Sequence, residues 1–250
     1  EFHVIPTDTI NIHIDKDALL RSGIMLPKTI RHLKGEDLKD AIPDKLYIPL
    51  TDIRMLTKVD LLMLEMLANC NWERPLYLAI SVGSVSKLKF DNYFVQEGLA
   101  FRFTPFDYKK WGDVGENRLY AVDVERLYDN VMNRYKYGGL DTPGLYLDET
   151  TLRTCWYHRR LFAQLAKELI AQGDNERAKK VLAYAEQVIP GYNVPETHES
   201  GSYDIATAYA ALGEKTKAVT LAVHLIAEAE DYINWAFSLK GNRIEMVRND

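Results

Sequence analysis

The stretch that decides the fold is DVERLYDNVMNRYKYGGLDTPGLYLDETTLRTCWYHRRLFAQLAKELIAQG, residues 123–173. Its two ends, 123–137 and 150–172, carry apolar residues at three- and four-residue steps, which gathers those residues on one face of a helix. Between them, Gly138-Gly139 supplies the positive φ that ends a helix, and Thr142-Pro143-Gly144 is typical of a turn. The sequence therefore predicts two helices joined by a turn.

The helical pattern continues beyond this stretch in two similar registers. The first register is Phe162, Leu165, Ala166, Leu169, Gly173, Ala178, Leu182, Ala185 and Pro190, and the second is Ile205, Ala206, Tyr209, Gly213, Ala218, Ala222 and Leu225. This spacing resembles the tetratricopeptide repeat, in which small residues lie where helices cross closely. Helix hairpins without a repeat relation are the alternative. After them, Tyr232, Trp235, Ala236 and Leu239 predict a closing helix over the last repeat.

The residues before this stretch show the pattern of a small sheet instead. Residues 9–14 and 99–104 alternate apolar and polar side chains, 46–50 is a further candidate strand, and 76–82 is a short apolar run typical of a central strand. Residues 57–67 predict a helix that begins with a capping box and is apolar on most sides, as a buried helix is. A helix at 57–67 followed by a buried strand at 76–82 indicates the αβ half of a βαβ unit.

The two patterns together predict an α+β protein of two domains. Residues 1–120 would form a small N-terminal α/β layer of three or four strands, and residues 121–250 an all-helical, tetratricopeptide-like region of hairpins with a closing helix. The change from a period of two to a period of 3.6 residues near Asp123 marks the boundary.

Composition excludes several classes of protein. The 250 residues carry 31 basic and 36 acidic side chains, for a net charge of -5, which argues against nucleic-acid binding. The sequence has no apolar run near the length of about 18 residues that spans a bilayer. It begins at Glu1 without a Met or a signal peptide, so we interpret it as a piece of a longer protein that carries the targeting information. Cys70 and Cys155 are expected to be unpaired, packed thiols.

No motif predicts a reaction. The sequence contains no glycine-rich phosphate loop, HExxH motif or nucleophile elbow. Cys155 and His158 lie at i and i+3 on a helix, but structural packing is the favoured interpretation of this pair. Asp141, Asp148 and Glu149 miss the ligand spacing of an EF-hand. We therefore predict no catalytic residue, metal ligand or cofactor in this chain.

One side of the helix at 150–172 is basic, with Arg153, Arg159, Arg160 and Lys167. In tetratricopeptide arrays the first helix of each pair lines the concave side. In this register the concave positions are Arg160, Ala163, Lys167 and Ile170, followed by Tyr203, Thr207 and Ala210. Arg160, Lys167, Tyr203 and Thr207 are accordingly the predicted binding residues, suited to an acidic segment of polypeptide. Two occupants remain open: an external polypeptide, or the chain's own helix 123–137 in the place of a missing repeat.

Trp72 and Arg74 form a second candidate site in the N-terminal part. We expect the guanidinium to stack on the indole, to reach a carboxylate and to fix the junction between the helix and the strand that follows. A pocket that combined both residues with an acidic partner would favour an enzyme.

Several strings together resemble one protein family. They are LTKVDL at 56–61, NWERPLY at 71–77, EGLAFRFTP at 97–105, YGGL at 137–140, YLDE at 146–149 and HRRLF at 158–162. They are similar to the C-terminal soluble portion of multi-spanning bacterial membrane proteins of unknown function that are related to protein O-mannosyltransferases. The resemblance covers nearly the whole chain, but none of the strings is a known catalytic signature.

This resemblance implies a function for the chain. The expected function is a non-catalytic periplasmic module of a membrane-embedded protein glycosyltransferase that uses a lipid-linked sugar donor. The module would face the periplasm at the bacterial inner membrane and bind acceptor polypeptide or a partner protein. The alternative is an independent enzyme with a site between the α/β unit and the helical repeats.

Overall fold

The computed structural model describes residues 7–50, 53, 55–82, 88, 90–115, 118 and 120–239. The chain divides into two compact units, Glu1–Asp123 and Val124–Asp250. The whole is a mixed α+β protein, as the sequence predicts, with small sheets in the N-terminal part and helices in the C-terminal half.

A two-stranded antiparallel sheet opens the first unit. It pairs β1 (Thr9–His13) with β2 (Lys45–Pro49), and Pro49 ends the register opposite Thr9. Helices α1 (Lys16–Arg21) and α2 (Gly35–Ala41) lie between the two strands in the chain. In β1, Ile12 is buried between the exposed Asn11 and His13, which confirms the half-buried strand that the alternation predicts.

A second sheet of four strands completes the first unit. Its strands are β3 (Tyr77–Ala79), β4 (Phe94–Gln96), β5 (Ala100–Phe103) and β6 (Ala121–Val122), in the order β3-β5-β4-β6. β4 and β6 are parallel, whereas β3 and β4 are both antiparallel to β5. The predicted central strand is therefore wrong, because β3 lies at the edge of the sheet. The predicted βαβ unit is also wrong, because β2 and β3 belong to different sheets.

Helix α3 (Lys58–Asn69) begins as predicted but is not buried all round. Thr57 and Asp60 form the capping box. One face, which includes Leu64 and Leu67, is buried, whereas Leu62 is 63% exposed and Met66 is 51% exposed. Apolar residues on several sides of a helix do not bury it when only one side has a neighbour.

Phe103 lies at the centre of an aromatic cluster in the core of the first unit. Its ring contacts Trp72, Phe90, Tyr93 and Phe94, with ring centroids 5.2 to 6.4 Å apart. Such aromatic pairs stabilise a core beyond their buried area. The cluster links the segment after α3 to β4 and β5.

The second unit is helical. Its elements are α4 (Val124–Asp129), which continues as a π-helical segment at Asn130–Arg134, and then α5 (Glu149–Ala171), α6 (Asn175–Val188), α7 (Ser202–Ala211) and α8 (Lys215–Ser238). Residues 150–229, all of which the structure describes, contain no strand. Helix α5 packs against α6 and α7, and α7 packs against α8.

The first helices of the two hairpins, α5 in α5/α6 and α7 in α7/α8, end in the same way. Gly173 after α5 and Gly213 after α7 both have positive φ, at 81° and 78°. The repeat relation between the hairpins stays a prediction. The prediction of a separate closing helix is wrong for the described residues. Tyr232, Trp235 and Ala236 belong to α8, which is uninterrupted.

Candidate functional site

The structure brings four predicted binding residues together on one face of two neighbouring helices. Arg160 and Lys167 lie on α5, and Tyr203 and Thr207 lie on α7, which packs against α5. All four are exposed, and the Tyr203 side chain is the most conspicuous because it is 66% exposed. We call these four residues the α5/α7 face.

Arg160 is held by the start of the second hairpin. Its Nε donates a hydrogen bond of 2.9 Å to the Glu199 carbonyl oxygen, and a terminal nitrogen donates to the same oxygen. Gly201 packs directly against it, because a Cβ added at Gly201 would lie 2.7 Å from Arg160 Cγ. With φ at +83°, Gly201 also has a backbone conformation that side chains rarely adopt. Glycine at this position therefore lets α7 begin in contact with α5.

Lys167 pairs with a carboxylate of the second hairpin. Its Nζ lies 2.9 Å from Asp204 Oδ1, and the two side chains are 51% and 43% exposed. Exposed pairs of this kind contribute only about 0–1 kcal/mol, so the partners exchange readily. The charge of Lys167 is thus available to a competing carboxylate at small cost.

The chain's own segment 124–137 does not occupy the α5/α7 face. Glu125 pairs with Arg177 of α6 at 2.7 and 2.8 Å, and the Arg177 guanidinium lies over the Tyr128 ring. Tyr137 packs against Phe162, on another side of α5. The expectation that this segment fills the groove is therefore wrong.

Cys155 and His158 do not form a catalytic pair. Burial raises the pKa of the Cys155 thiol and lowers the pKa of the His158 imidazole. Both shifts disfavour the thiolate and the imidazolium that such a pair requires. The His158 ring instead contacts the Tyr135 and Tyr137 rings. Cys70 and Cys155 are both free thiols, as predicted.

The two candidate residues of the first unit have different surroundings. Trp72 is 6% exposed, donates its indole N–H to the His13 carbonyl at 2.9 Å and stacks on Phe103. Arg74 is exposed, and none of the residues that the structure describes bonds to it. The predicted stacking of Arg74 on Trp72 is therefore wrong. Asn71 and Trp72 both have positive φ, at 46° and 62°, and this turn directs the indole into the core.

The pocket beside Trp72 and Arg74 is too small for a substrate. Its volume of about 10 Å³ is at the limit for a single water molecule. The cation that lines it from the core is Arg102 of β5. These two candidate residues thus do not form a cleft in which a reaction could take place.

Arg102 belongs to a buried network that the sequence analysis missed. It donates to the Ser22 carbonyl at 2.9 Å and lies 3.6 Å from Glu97 Oε1. The other Glu97 oxygen accepts a hydrogen bond of 2.8 Å from the Tyr77 hydroxyl. Alternation places Arg102 on the polar side of its strand, but the segment after α1 covers that side, because the guanidinium contacts the carbonyls of Ser22 and Gly23. This contact joins residues about 80 positions apart, so it is not a local property of the sequence.

Arg159 is the second residue whose position the sequence analysis missed. The sequence predicts it on the basic, exposed side of α5, yet only 3% of it is exposed. Its terminal nitrogens donate to the carbonyls of Ile189, Val194 and Pro195 at 3.3, 2.5 and 2.8 Å. The long loop after α6 was the available signal, because its carbonyl groups need donors.

A cavity of about 410 Å³ lies beside Arg159 in the second unit. It is bordered by α6, α7, α8 and the loop after α6. Its apolar lining is Leu182, Ala185, Ile189, Ile205 and Leu221. Its other lining residues are Arg159, Glu186, Glu196, Tyr209, Thr216, Lys217, Thr220 and His224.

The described ranges contain neither a candidate metal site nor a candidate membrane-spanning helix. They hold no group of three or more His, Cys, Asp or Glu side chains that could bind a metal ion. Among the helices described, none is both long enough and apolar enough to cross a membrane.

The family model of TMEM260-associated domain 2 matches residues 1–125, which is half of the chain. No curated protein and no solved structure matches the chain.

Proposed function

The chain belongs to the family of TMEM260-associated domain 2, and on this premise we propose that it is a non-catalytic module of a membrane-embedded protein glycosyltransferase. The strings at 56–61, 71–77 and 97–105, which lie within the matched residues, resemble proteins related to protein O-mannosyltransferases. The parent protein would take its sugar from a lipid-linked donor. The module would lie on the periplasmic face of a bacterial inner membrane.

The proposed task of the module is to bind acceptor polypeptide or a partner protein on the α5/α7 face. The observation that carries this proposal is the exposure of Tyr203 beside two cations on adjacent helices. Exposed aromatic and arginine side chains are common anchors of protein interfaces. Lys167 contacts a carboxylate at the surface, and an acidic segment could replace this partner at little cost. Arg160, which donates to the Glu199 carbonyl, adds a second positive charge on the same face.

The absence of a reaction centre from this module is part of the proposal. The pKa values of Cys155 and His158 shift away from the values that catalysis needs. The pocket beside Trp72 and Arg74 has no room for a substrate. We propose that catalysis takes place in the membrane-embedded part of the parent protein.

Charge reversal on the isolated chain tests this function. The variant is Arg160→Glu with Lys167→Glu, and its control is Lys179→Glu with Lys180→Glu, the same charge change on α6. Because Arg160 and Lys167 are exposed and their pairing adds little stability, we expect a drop in Tm of less than about 5 °C. Wild type and control should retain an immobilised acidic peptide, and the variant should not.

Two outcomes would contradict the proposal. Equal retention by all three proteins would show that the α5/α7 face is only solvated surface. A large loss of stability in the variant alone would show that the two cations serve the fold.

A further inference from the structure

The Glu196 cavity, the space of about 410 Å³ bordered by α6, α7, α8 and the loop that carries Glu196, is a site distinct from the α5/α7 face. Ile205 and Tyr209 line it from α7. Each of them follows Tyr203 or Thr207 by two residues, which is a rotation of about 200° around a helix. The cavity therefore opens on a different side of α7. Its volume is within the range of small-ligand sites.

Four of the charged or polar groups that line this cavity have partners within the fold. The Arg159 guanidinium is held by three loop carbonyls. Glu186 accepts hydrogen bonds from Lys217 Nζ at 2.8 and 3.1 Å, and from the Tyr209 hydroxyl at 2.5 Å. Burial and the Glu186 carboxylate raise the pKa of Tyr209, so its hydroxyl remains a neutral donor. These groups are already satisfied and have no need of a ligand.

Glu196 is the acidic side chain of the lining that forms no hydrogen bond or ion pair with any residue that the structure describes. Its side chain is half-buried and packs over Gly191, where an added Cβ would lie 3.3 Å from Glu196 Cδ. Arg159 interacts with it electrostatically without forming an ion pair, so part of its charge is offset. The cavity thus presents a positioned carboxylate next to an apolar lining.

From this arrangement we infer that the Glu196 cavity binds an ammonium or guanidinium group at the end of an aliphatic chain. The aliphatic part lies along Leu182, Ile189 and Leu221, as the stems of lysine and arginine do on apolar surfaces. The cationic head pairs with the Glu196 carboxylate. Two sources share this chemistry: a lysine or arginine side chain of a polypeptide, and a free aliphatic amine. This inference does not depend on the proposed glycosyltransferase role.

Titration of the 250-residue chain followed by methyl NMR tests the inference. The probes are acetyl-Ala-Ala-Lys-Ala-Ala-amide, the same peptide with Arg or Glu at its centre, and 1,5-diaminopentane. We expect saturable shifts of the Ile189, Ile205 and Leu221 methyl groups with the cationic probes and none with the Glu peptide. Shifts with the diamine alone would sustain the chemistry and identify a small amine as the ligand.

Three variants decide the role of the carboxylate. Glu196→Gln should weaken binding by about tenfold or more, because the cation no longer pairs with a charged group. Glu199→Gln removes the same charge from an exposed neighbour outside the cavity and should bind as wild type does. Thr220→Trp fills the cavity from an exposed position on α8 and should abolish binding without unfolding the chain.

Three results would overturn the inference. One is the absence of saturable binding by any cationic probe up to about 5 mM, which corresponds to a negligible affinity. Another is equal affinity of wild type and Glu196→Gln. The third is equal binding of the Glu peptide.

Discussion

The two units of this chain bury polar groups in different places. In the described part of the first unit, the buried polar side chains lie along strands, loops and one helix: Asp60, Gln96, Glu97, Arg102, Thr104 and Asp107. In the second unit they are Arg159, Asn193, Ser200 and Ser202. Three of these four lie in or beside the loop that follows α6, and Arg159 bonds to that loop.

This difference shows how each unit is specified. In the helical unit, local periodicity buries the apolar faces, and polar groups are needed only where the helical pattern is interrupted. Asn193 in the loop after α6, for example, donates to the carbonyls of Leu140 and Thr142 in the segment before α5. In the sheet unit, by contrast, a strand itself carries such a group, as Arg102 of β5 bonds to Ser22, and the turn after α3 carries another, as Trp72 bonds to His13.

The largest effect on stability is expected in the first unit, where a buried and an exposed side chain lie two residues apart. Trp72→Ala removes a buried ring and the donor to the His13 carbonyl, so we expect a loss of about 3–5 kcal/mol in the free energy of unfolding. Arg74→Ala changes an exposed side chain two residues away, and the loss should be within about 0.5 kcal/mol. Denaturant titration of both variants measures the difference. Similar losses would mean that Arg74 contributes to the junction after all.

The second prediction concerns the interruption in the helical unit. Arg159→Met keeps much of the side-chain volume but leaves three loop carbonyls without this donor. We expect a loss of about 2–4 kcal/mol in the free energy of unfolding. Arg153→Met, on an exposed turn of the same helix, should cost less than about 1 kcal/mol. Equal losses would refute the view that the loop depends on a single cation.

The smallest expected effect is a pH dependence in the helical unit. Burial lowers the pKa of His158 in the folded chain below its ordinary value of about 6.5. The unfolded chain therefore binds more protons, so this contribution to stability is present above that value and is lost as the pH falls. His158→Gln should flatten the decrease in stability between about pH 7 and pH 5, whereas His224→Gln, at an exposed site, should not. Chemical unfolding at a series of pH values compares them. Identical slopes for all three proteins would contradict the burial argument.

The sequence predicts the local features of this fold well. The capping box of Thr57 and Asp60 and the positive φ of Gly138 and Gly139 follow from a few adjacent residues. The helices of the second unit follow from a period of 3.6 residues, which each segment carries by itself.

The features that the sequence does not predict depend on distant neighbours. The edge position of β3 requires the strand order, and an apolar run such as 76–82 is compatible with several orders. The exposed side of α3 depends on which of its faces has a neighbour. In the candidate site, exposure of Arg160 and Lys167 follows from helical periodicity, whereas the burial of Arg159, one residue earlier, depends on a loop more than 30 residues away.

We propose that catalysis takes place elsewhere in the parent protein and that the α5/α7 face binds acceptor polypeptide, the first of the two proposed ligands. The measurement that tests it most directly is steady-state sugar transfer by the intact parent protein with Arg160→Glu and Lys167→Glu. We predict that KM for the acceptor polypeptide rises by about tenfold or more while kcat stays within about twofold of wild type. A decrease in kcat with KM unchanged, or no change in either constant, would contradict the account.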